Sequence, residues 1–120
     1  MGFDAAIATH PGVVFATTNN SYDRCIRAAG WDGFEALFRP IIARKSHNNW
    51  RTFRGAREAA LPTCEQAEVL YPGAVAIDHL RRVYVREGDH HDLVTGWLQE
   101  FDLPGVEVVL SPEKFAGKPN

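Results

Sequence analysis

Residues 66–71 alternate between two sets of side chains, and this alternation is the clearest strand signal in the chain. The two sets are Ala67, Val69 and Tyr71 on one face and Gln66, Glu68 and Leu70 on the other. A period of two predicts a β-strand, and Pro72-Gly73 predicts the turn that ends it. The Glu68 carboxylate then lies beside an apolar side chain. A carboxylate there is costly unless it is paired or has a function, whereas the alternative is that this face points to solvent.

Other segments predict a mixture of short strands and helices. Strands are expected at residues 13–16, 82–85 and 107–110, where apolar and β-branched residues cluster. Helices are expected at residues 21–29, 31–42 with a break at Pro40, 57–60, 76–80 and 90–101. Residues 43–49 are polar and predict a loop, and residues 118–120 predict a loose tail.

The order of these elements predicts an α+β fold. The strands are short and are not joined by regular crossover helices, so we expect a small mixed or antiparallel sheet with flanking helices. The chain has 120 residues, which is the length of one domain with one apolar core. We therefore expect a single domain over residues 1–120.

Basic residues concentrate in one part of the chain. Residues 23–57 contain eight Arg or Lys and three Asp or Glu, a net charge of +5 within a protein of net charge −2. Aromatic residues are interleaved with these charges, which suits single-stranded nucleic acid. The residues assigned to such binding are Arg44, Lys45, Trp50, Arg51 and Arg54. A solvated helical face would have the same composition, so the residues alone leave both interpretations open.

Other kinds of site find little support in the sequence. The spacing of the histidines and of Cys25 and Cys64 does not predict a metal site or a disulfide, and we expect no metal. The chain contains no run of 18 apolar residues and no signal-peptide pattern. We therefore expect no membrane span and a cytoplasmic protein with reduced thiols.

Three stretches resemble a known family. Gln66-Ala67-Glu68-Val69-Leu70 with its Pro-Gly turn, followed by Ile77-Asp78-His79-Leu80 and Val83-Tyr84-Val85, is similar to the C-terminal part of the DarT-type DNA ADP-ribosyltransferase toxins. Residues 11–20 (PGVVFATTNN) resemble the family's gvvFTDgNA segment, and residues 106–115 (VEVVLSPEKF) resemble its closing strand and aromatic tail.

This resemblance implies a catalytic role for Glu68. In the family a strand of this kind carries the catalytic glutamate, NAD is the donor of ADP-ribose and DNA, here single-stranded, is the acceptor. A fixed carboxylate near the ribose 2-hydroxyl stabilises the positive charge that develops as nicotinamide leaves. Asn19 falls at the family's asparagine and Gln66 shares the Glu68 face, so both are assigned to NAD binding. The resemblance also implies a toxin–antitoxin system with a macrodomain antitoxin.

The resemblance covers residues 11–115 and implies the C-terminal half of an ADP-ribosyltransferase fold. The family's N-terminal half carries a histidine-containing strand and an arginine that grip NAD, and residues 1–10 show no counterpart of it. We therefore expect a truncated or degenerate form with an incomplete NAD pocket. Uncovered strand edges recruit partners, so we also expect a homo-oligomer with contacts near residues 11–20 or 66–71.

A second interpretation comes from a different functional class. If the NAD pocket is incomplete, the basic and aromatic segment 23–57 is that of a non-catalytic module that binds nucleic acid. Binding that weakens steeply with salt is expected of either interpretation, whereas saturable binding of NAD is expected of the enzyme alone.

Overall fold

A computed structural model describes residues 1–116 of the protein. They form two compact units, Ala8–Ala74 and the combination of Met1–Ile7 with residues 75–116. We call the first the Glu68 unit. The second contains helix α2 (Gly88–Glu100), and we call it the α2 unit. Each unit is described by itself. The single domain expected from the chain length stays a prediction, and the expected loose tail at residues 118–120 lies outside the described residues.

Within residues 1–116 the strands and helices follow one another in this order: β1 (Gly2–Phe3), β2 (Val14–Ala16), β3 (Arg27–Ala28), α1 (Gly30–Ala36), β4 (Ile41–Lys45), β5 (Trp50–Phe53), β6 (Glu68–Leu70), β7 (Leu80–Val85), α2 (Gly88–Glu100) and β8 (Glu107–Leu110). Short 3-10 helices lie at Ala5–Thr9, His47–Asn49, Ile77–His79 and Pro112–Phe115. Short strands in small sheets combined with two helices confirm the predicted α+β class.

A three-stranded antiparallel sheet, in the order β3-β2-β6, forms the centre of the Glu68 unit. The central strand β2 buries Phe15, whose ring meets Phe34 of α1 edge to face at 5.8 Å. Helix α1 approaches this sheet closely because Gly33 has no side chain: a Cβ atom there would lie 2.1 Å from the Ala28 carbonyl oxygen. Helix α1 covers one face of this sheet, and Glu68 lies on the opposite face.

The hairpin of β4 and β5 completes the Glu68 unit. Ile42 and Arg44 of β4 are buried while the residues between them are exposed, which is the alternation of a half-buried strand. The register shifts by one residue between Ala43 and Lys45, so Arg44 lies at a β-bulge.

The α2 unit contains a second three-stranded sheet, in the order β1-β7-β8. Strands β7 and β8 are parallel, and α2 connects them. The sequence predicts an apolar stripe along this helix, and the stripe is present in the helix. Its outer members Leu93, Trp97 and Phe101 are exposed, whereas Val94 and Leu98 are half-buried.

Strands β7 and β8, helix α2 and the helical turn Ile77–His79 confirm the predictions made for those segments. Strand β2 is confirmed as well, and β6 is shorter than predicted because its ladder begins only at Glu68. Strand β2 pairs on both sides, so the expectation that it lacks neighbours is wrong. Strand β6 is an edge of its sheet among the described residues.

Three predicted elements are wrong. Residues 21–29 form turns and β3 because the chain folds back on β2, where the Thr17 N–H donates to the Ile26 carbonyl at 3.0 Å. The predicted helix over 31–42 ends at Ala36, and residues 41–45 of the predicted helix end and loop form β4, since pairing with β5 overrides local propensity. The helix predicted at residues 57–60 is a series of turns.

Candidate active site

Glu68 lies at the first position of β6, directly opposite Ala16 of β2. Its side chain is half-buried, and Oε2 accepts a hydrogen bond from the backbone N–H of Asn20 at 3.1 Å. The other oxygen, Oε1, accepts no hydrogen bond from the part of the chain that the structure describes. The carboxylate is thus held through one oxygen, and the second is available to a bound molecule.

Arg27 holds the turn that contacts Glu68. Its Nε donates to the Asn20 side-chain oxygen and a terminal nitrogen donates to the Asn20 carbonyl oxygen. Ala16 pairs with Arg27 on one side and with Glu68 on the other, so these three side chains lie on one face of the sheet. A guanidinium and a carboxylate therefore flank the small Ala16, which is 0% exposed.

A groove of about 530 Å³ lies on this sheet, and its lining includes Asn20, whose N–H holds Glu68. Its walls come from both ends of the sheet and from the turns that follow the strands: Gly12, Val14, Asn20, Arg27, Ala28, Ala29, Leu70, Tyr71 and Pro72. Tyr71 is fixed at the rim because its hydroxyl lies 2.7 Å from Nδ1 of His10. The groove combines apolar walls with one cationic group, which suits an organic ligand that carries negative charge.

The two residues predicted to bind NAD occupy different positions around Glu68. The Asn19 side-chain oxygen accepts hydrogen bonds from the Ser21 N–H at 2.9 Å and the Ser21 hydroxyl at 2.5 Å, which closes the turn. Its neighbour Asn20 makes the contact with Glu68. Gln66 precedes the strand, and its side-chain oxygen accepts a hydrogen bond from Arg44.

Asp23 connects the segment between β2 and β3 to the turn between β4 and β5. Its carboxylate oxygens accept from the Ser46 N–H at 3.1 and 3.2 Å. Hydrogen bonds from the Ser46 side chain and then from its N–H hold the pKa of Asp23 below its ordinary value. Ser46 in turn accepts from Arg24 Nε at 2.6 Å, so this turn is tied down on two sides.

Three of the five predicted nucleic-acid residues lie on an exposed part of the hairpin. The rings of Tyr22 and Trp50 lie with their centroids 5.7 Å apart at 41°, and we call this pair the aromatic platform. The Lys45 ammonium lies 4.4 Å from the centroid of the Tyr22 ring. Arg51 is exposed, and its Nε donates to Asn49. Cations beside exposed rings are what stacked bases and phosphates require.

The other two predicted nucleic-acid residues have their guanidinium groups engaged within the protein. Arg44 is 1% exposed and lies beneath Trp50, so it differs from the surface phosphate contact expected from the sequence. Arg54 donates to the carbonyl oxygens of Glu58, Ala59 and Leu61 and to the Thr63 hydroxyl, at 3.0–3.1 Å. Arg54 therefore fastens the loop between β5 and β6.

Sequence reasoning missed Asn20 and Arg27 as parts of the site. Arg27 lies in the segment 21–29 that was predicted to be helical, and a helix would have carried it away from β2, whereas Asn20 lies directly before that segment. The signal that was available is the run of turn-forming residues at 17–21, which favours a reversal of the chain followed by renewed strand pairing.

Residues 1–116 contain neither a metal-binding cluster nor a membrane-spanning helix. No group of three or more His, Cys, Asp or Glu side chains in this range is placed to hold a metal ion. None of the helices within these residues is both long and apolar enough to cross a bilayer.

Comparison with known protein families identifies a match. A family model described as "ssDNA thymidine ADP-ribosyltransferase, DarT" matches residues 2–116. The match includes residues 2–10, where the sequence motifs by themselves show no resemblance. No curated protein and no solved structure matches.

Proposed function

The chain belongs to the DarT family of single-stranded-DNA thymidine ADP-ribosyltransferases, and we propose that it transfers ADP-ribose from NAD to a thymidine base in single-stranded DNA with Glu68 as the catalytic carboxylate. The observation that carries this proposal is the placement of Glu68. Its carboxylate is fixed by the N–H of Asn20, a residue of the groove wall, lies on the same face of the sheet as Arg27 of that wall, and has Oε1 directed to no protein donor within residues 1–116.

The transfer of ADP-ribose requires a fixed negative charge at the position of Glu68. As the bond between the ribose carbon and nicotinamide breaks, its electron pair leaves with nicotinamide and the sugar becomes cationic. A carboxylate held in a fixed position stabilises that charge without having to reorganise. A ring nitrogen of thymidine then attacks the same carbon, and its proton passes to the Glu68 carboxylate or to water.

Around Glu68, we assign NAD to the groove on the β3-β2-β6 sheet. The Arg27 guanidinium is the cationic group of its wall and suits the diphosphate of NAD. Asn19 contributes by closing the turn that presents Asn20, and Gln66 by fixing the chain where it enters β6. NAD is consumed as a substrate in this reaction.

For the DNA strand, we assign the aromatic platform and its neighbouring cations. Trp50 is 40% exposed, so part of its ring can stack on a base. Lys45 and Arg51 lie beside it and are exposed, which suits backbone phosphates. Arg44 supports the platform from beneath, and Arg54 acts through the loop that it fastens.

The test is Glu68→Gln, which keeps the size and one acceptor oxygen of the side chain but removes its charge. We expect a thymidine-containing oligonucleotide to gain the mass of ADP-ribose with the native protein and NAD, and to gain none with Glu68→Gln. Glu35→Gln is the matched control, because Glu35 is an exposed carboxylate of α1 in the same unit. Retained transfer by a folded Glu68→Gln variant would refute the assignment.

The aromatic platform also supports a second candidate function, nucleic-acid binding without transfer. It predicts that the oligonucleotide binds and that its affinity falls steeply with salt, while NAD neither binds nor is consumed. Titration of NAD into the purified protein separates the two functions, because saturable binding is expected only of the enzyme.

Two wider consequences belong to the same proposal. We place the protein in a toxin–antitoxin system in the cytoplasm, where its proposed substrates NAD and DNA occur together. The proposed partner is a macrodomain antitoxin, since macrodomains bind and remove ADP-ribose. Restoration of unmodified oligonucleotide by such a macrodomain is the expected result.

A further inference from the structure

Arg44 is the largest side chain buried in the protein's described residues, and its guanidinium lies directly under the aromatic platform. The guanidinium carbon is 3.9 Å from the centroid of the Trp50 ring and 5.6 Å from that of Tyr22. The alternation of β4 gives Arg44 this position, since the residues on both sides of it, Ala43 and Lys45, are exposed. One face of the Trp50 ring is thus covered by a cation from inside the protein.

The same guanidinium reaches the segment that leads into β6. One terminal nitrogen donates to the side-chain oxygen of Gln66. The other lies 3.5 Å from Glu65 Oε1 and 3.3 Å from the Thr52 hydroxyl. Gln66 precedes Glu68 by two residues, so a single planar group contacts both the platform and the approach to the catalytic strand.

Packing alone does not explain an arginine at this place. Removing a guanidinium from water costs several kcal/mol, which its ion pair, hydrogen bonds and stacking must offset. An apolar side chain of similar volume would fill the space with equal or better stability. What an apolar side chain cannot do is stack on a ring and donate hydrogen bonds in the plane of that stack, and a lysine cannot do so either.

We propose that Arg44 is a positioning residue that links the aromatic platform to Glu68. A thymidine base stacked on the outer face of Trp50 presses the ring toward the guanidinium, and the guanidinium moves Gln66 and the start of β6 with it. Binding of the DNA strand thereby sets the orientation of the catalytic carboxylate. This inference rests on the proposed function and adds to it the route by which the acceptor strand organises the site.

The link is tested by nuclear magnetic resonance with a short oligothymidine added to the full chain. In the native protein we expect the backbone amide signals of Gln66–Val69 to shift in step with the indole signal of Trp50. In Arg44→Lys and in Gln66→Ala the oligothymidine is expected to bind with a Kd within about threefold of native, while the Glu68 amide no longer responds. Gln66→Ala leaves the stack of Arg44 on Trp50 intact, so it tests the link even if Arg44→Lys fails to fold.

Arg39→Lys is the control, because Arg39 is an exposed arginine of the same unit to which no part in binding or transfer is assigned. This variant should keep the response at Glu68. In the transfer reaction, Gln66→Ala should lower kcat and leave the KM for DNA nearly unchanged, which loss of a simple binding contact would not do.

Three results would overturn the inference: a Glu68 response that persists in folded Arg44→Lys and Gln66→Ala, a native protein that binds oligothymidine without any response at Glu68, or no binding of oligothymidine at low salt. The proposed function fails in a different way. If the native protein shows the linked response but never modifies the oligonucleotide with NAD present, the transferase assignment is wrong and the link stands.

Discussion

Glu68 Oε2 and the backbone nitrogen of Asn20 lie 3.1 Å apart, although 48 residues separate them in the chain. The contact joins the first residue of β6 to the turn after β2, and it orients the carboxylate through a backbone donor whose own position depends on Arg27. The direction of the Glu68 carboxylate therefore depends on Asn20 and Arg27, which lie in two other segments of the chain. This dependence makes the geometry of the site sensitive to changes that leave Glu68 itself untouched.

Arg27→Met should reduce transfer activity without unfolding the protein. The substitution removes both hydrogen bonds to Asn20, so the N–H that holds Glu68 is no longer fixed. Misplacement of a catalytic group by about 1 Å costs roughly 100-fold in rate, and we expect a decrease of about 10- to 100-fold in kcat. Activity assays and circular dichroism of the variant measure the two effects separately.

Arg39→Met provides the control for charge, since Arg39 is another exposed arginine of the same unit. If Arg27→Met and Arg39→Met lower activity equally, the effect of Arg27 comes from its charge and not from its hold on Asn20.

The elements that were predicted correctly share a strong local signal. Strands β7 and β8 contain runs of β-branched and aromatic residues, and α2 begins at a glycine and has a regular apolar stripe. Strands β3, β4 and β5 were among the elements missed, and they have long-range causes: β3 pairs with β2, and β4 and β5 pair with each other. Local propensity is a weak guide when pairing decides the conformation.

The candidate site shows the same difference between features with a local sequence signal and features that depend on distant contacts. Glu68 was identified from a local motif and lies on the predicted strand. The burial of Arg44 could not be foreseen, because an arginine in a polar segment is exposed in most proteins. Its position depends on the pairing of β4 with β5 and on a tryptophan six residues later, and neither leaves a pattern in the sequence that distinguishes it from a surface residue.

Gly33→Ala should destabilise the protein, although alanine normally stabilises a helix. A Cβ atom at residue 33 would lie 2.1 Å from the Ala28 carbonyl oxygen and 3.1 Å from the Phe15 ring. Helix α1 must then move away from β2, and overpacking of this kind costs roughly 3 kcal/mol of unfolding free energy. Urea denaturation measures the difference.

Gly96→Ala is the matched control in a helix with free space. Nothing lies within 4 Å of the Cβ position at residue 96 of α2. The substitution should therefore raise the unfolding free energy by about 0.5–1 kcal/mol through helix propensity alone. A neutral or stabilising Gly33→Ala would show that α1 does not approach β2 as closely as described.

Arg54→Met and Arg51→Met should affect different properties. Arg54 fastens four acceptors in the loop between β5 and β6, so its loss should lower the unfolding free energy by about 2 kcal/mol. Arg51 has one hydrogen bond, to Asn49, and its loss should change stability by less than about 0.5 kcal/mol.

Binding of oligothymidine should depend on Arg51 more than on Arg54. Arg51→Met should weaken binding and reduce the slope of log Kd against log salt by about 0.7, as for the loss of one phosphate contact. Arg54→Met, measured at a temperature where it is folded, should keep the native slope. A reduced slope for Arg54→Met would indicate that its guanidinium contacts the strand directly.

Asp23→Asn should destabilise the protein at neutral pH and have less effect in acid. Because the folded pKa of Asp23 lies below its ordinary value, its ionised form contributes stability above pH about 4, the ordinary value for the unfolded chain. This contribution is lost as the pH falls through the folded pKa. The difference between native and Asp23→Asn unfolding free energies should therefore shrink from pH 7 to pH 3, and a difference that stays constant would contradict the pairing with Ser46.

The edge of the β3-β2-β6 sheet predicts self-association. Strand β6 pairs with β2 on one side and is an edge among the described residues, and Val69 at its centre is 50% exposed. An unpaired edge with an apolar side chain is a template for another strand. We expect a second copy of the chain to pair along β6, so that sedimentation velocity shows a dimer at micromolar concentration.

Val69→Lys tests this pairing. Val69 lies opposite Phe15, so its side chain points away from the face that carries Glu68, and a lysine there should oppose edge-to-edge pairing without filling the groove. The variant should sediment as a monomer at concentrations where the native protein is dimeric. Leu93→Lys on the exposed face of α2 is the control, since it adds the same charge far from this edge in the chain and should leave the dimer intact. A native protein that remains monomeric at all concentrations, or a dimer that Val69→Lys does not weaken, would show that β6 is not the contact.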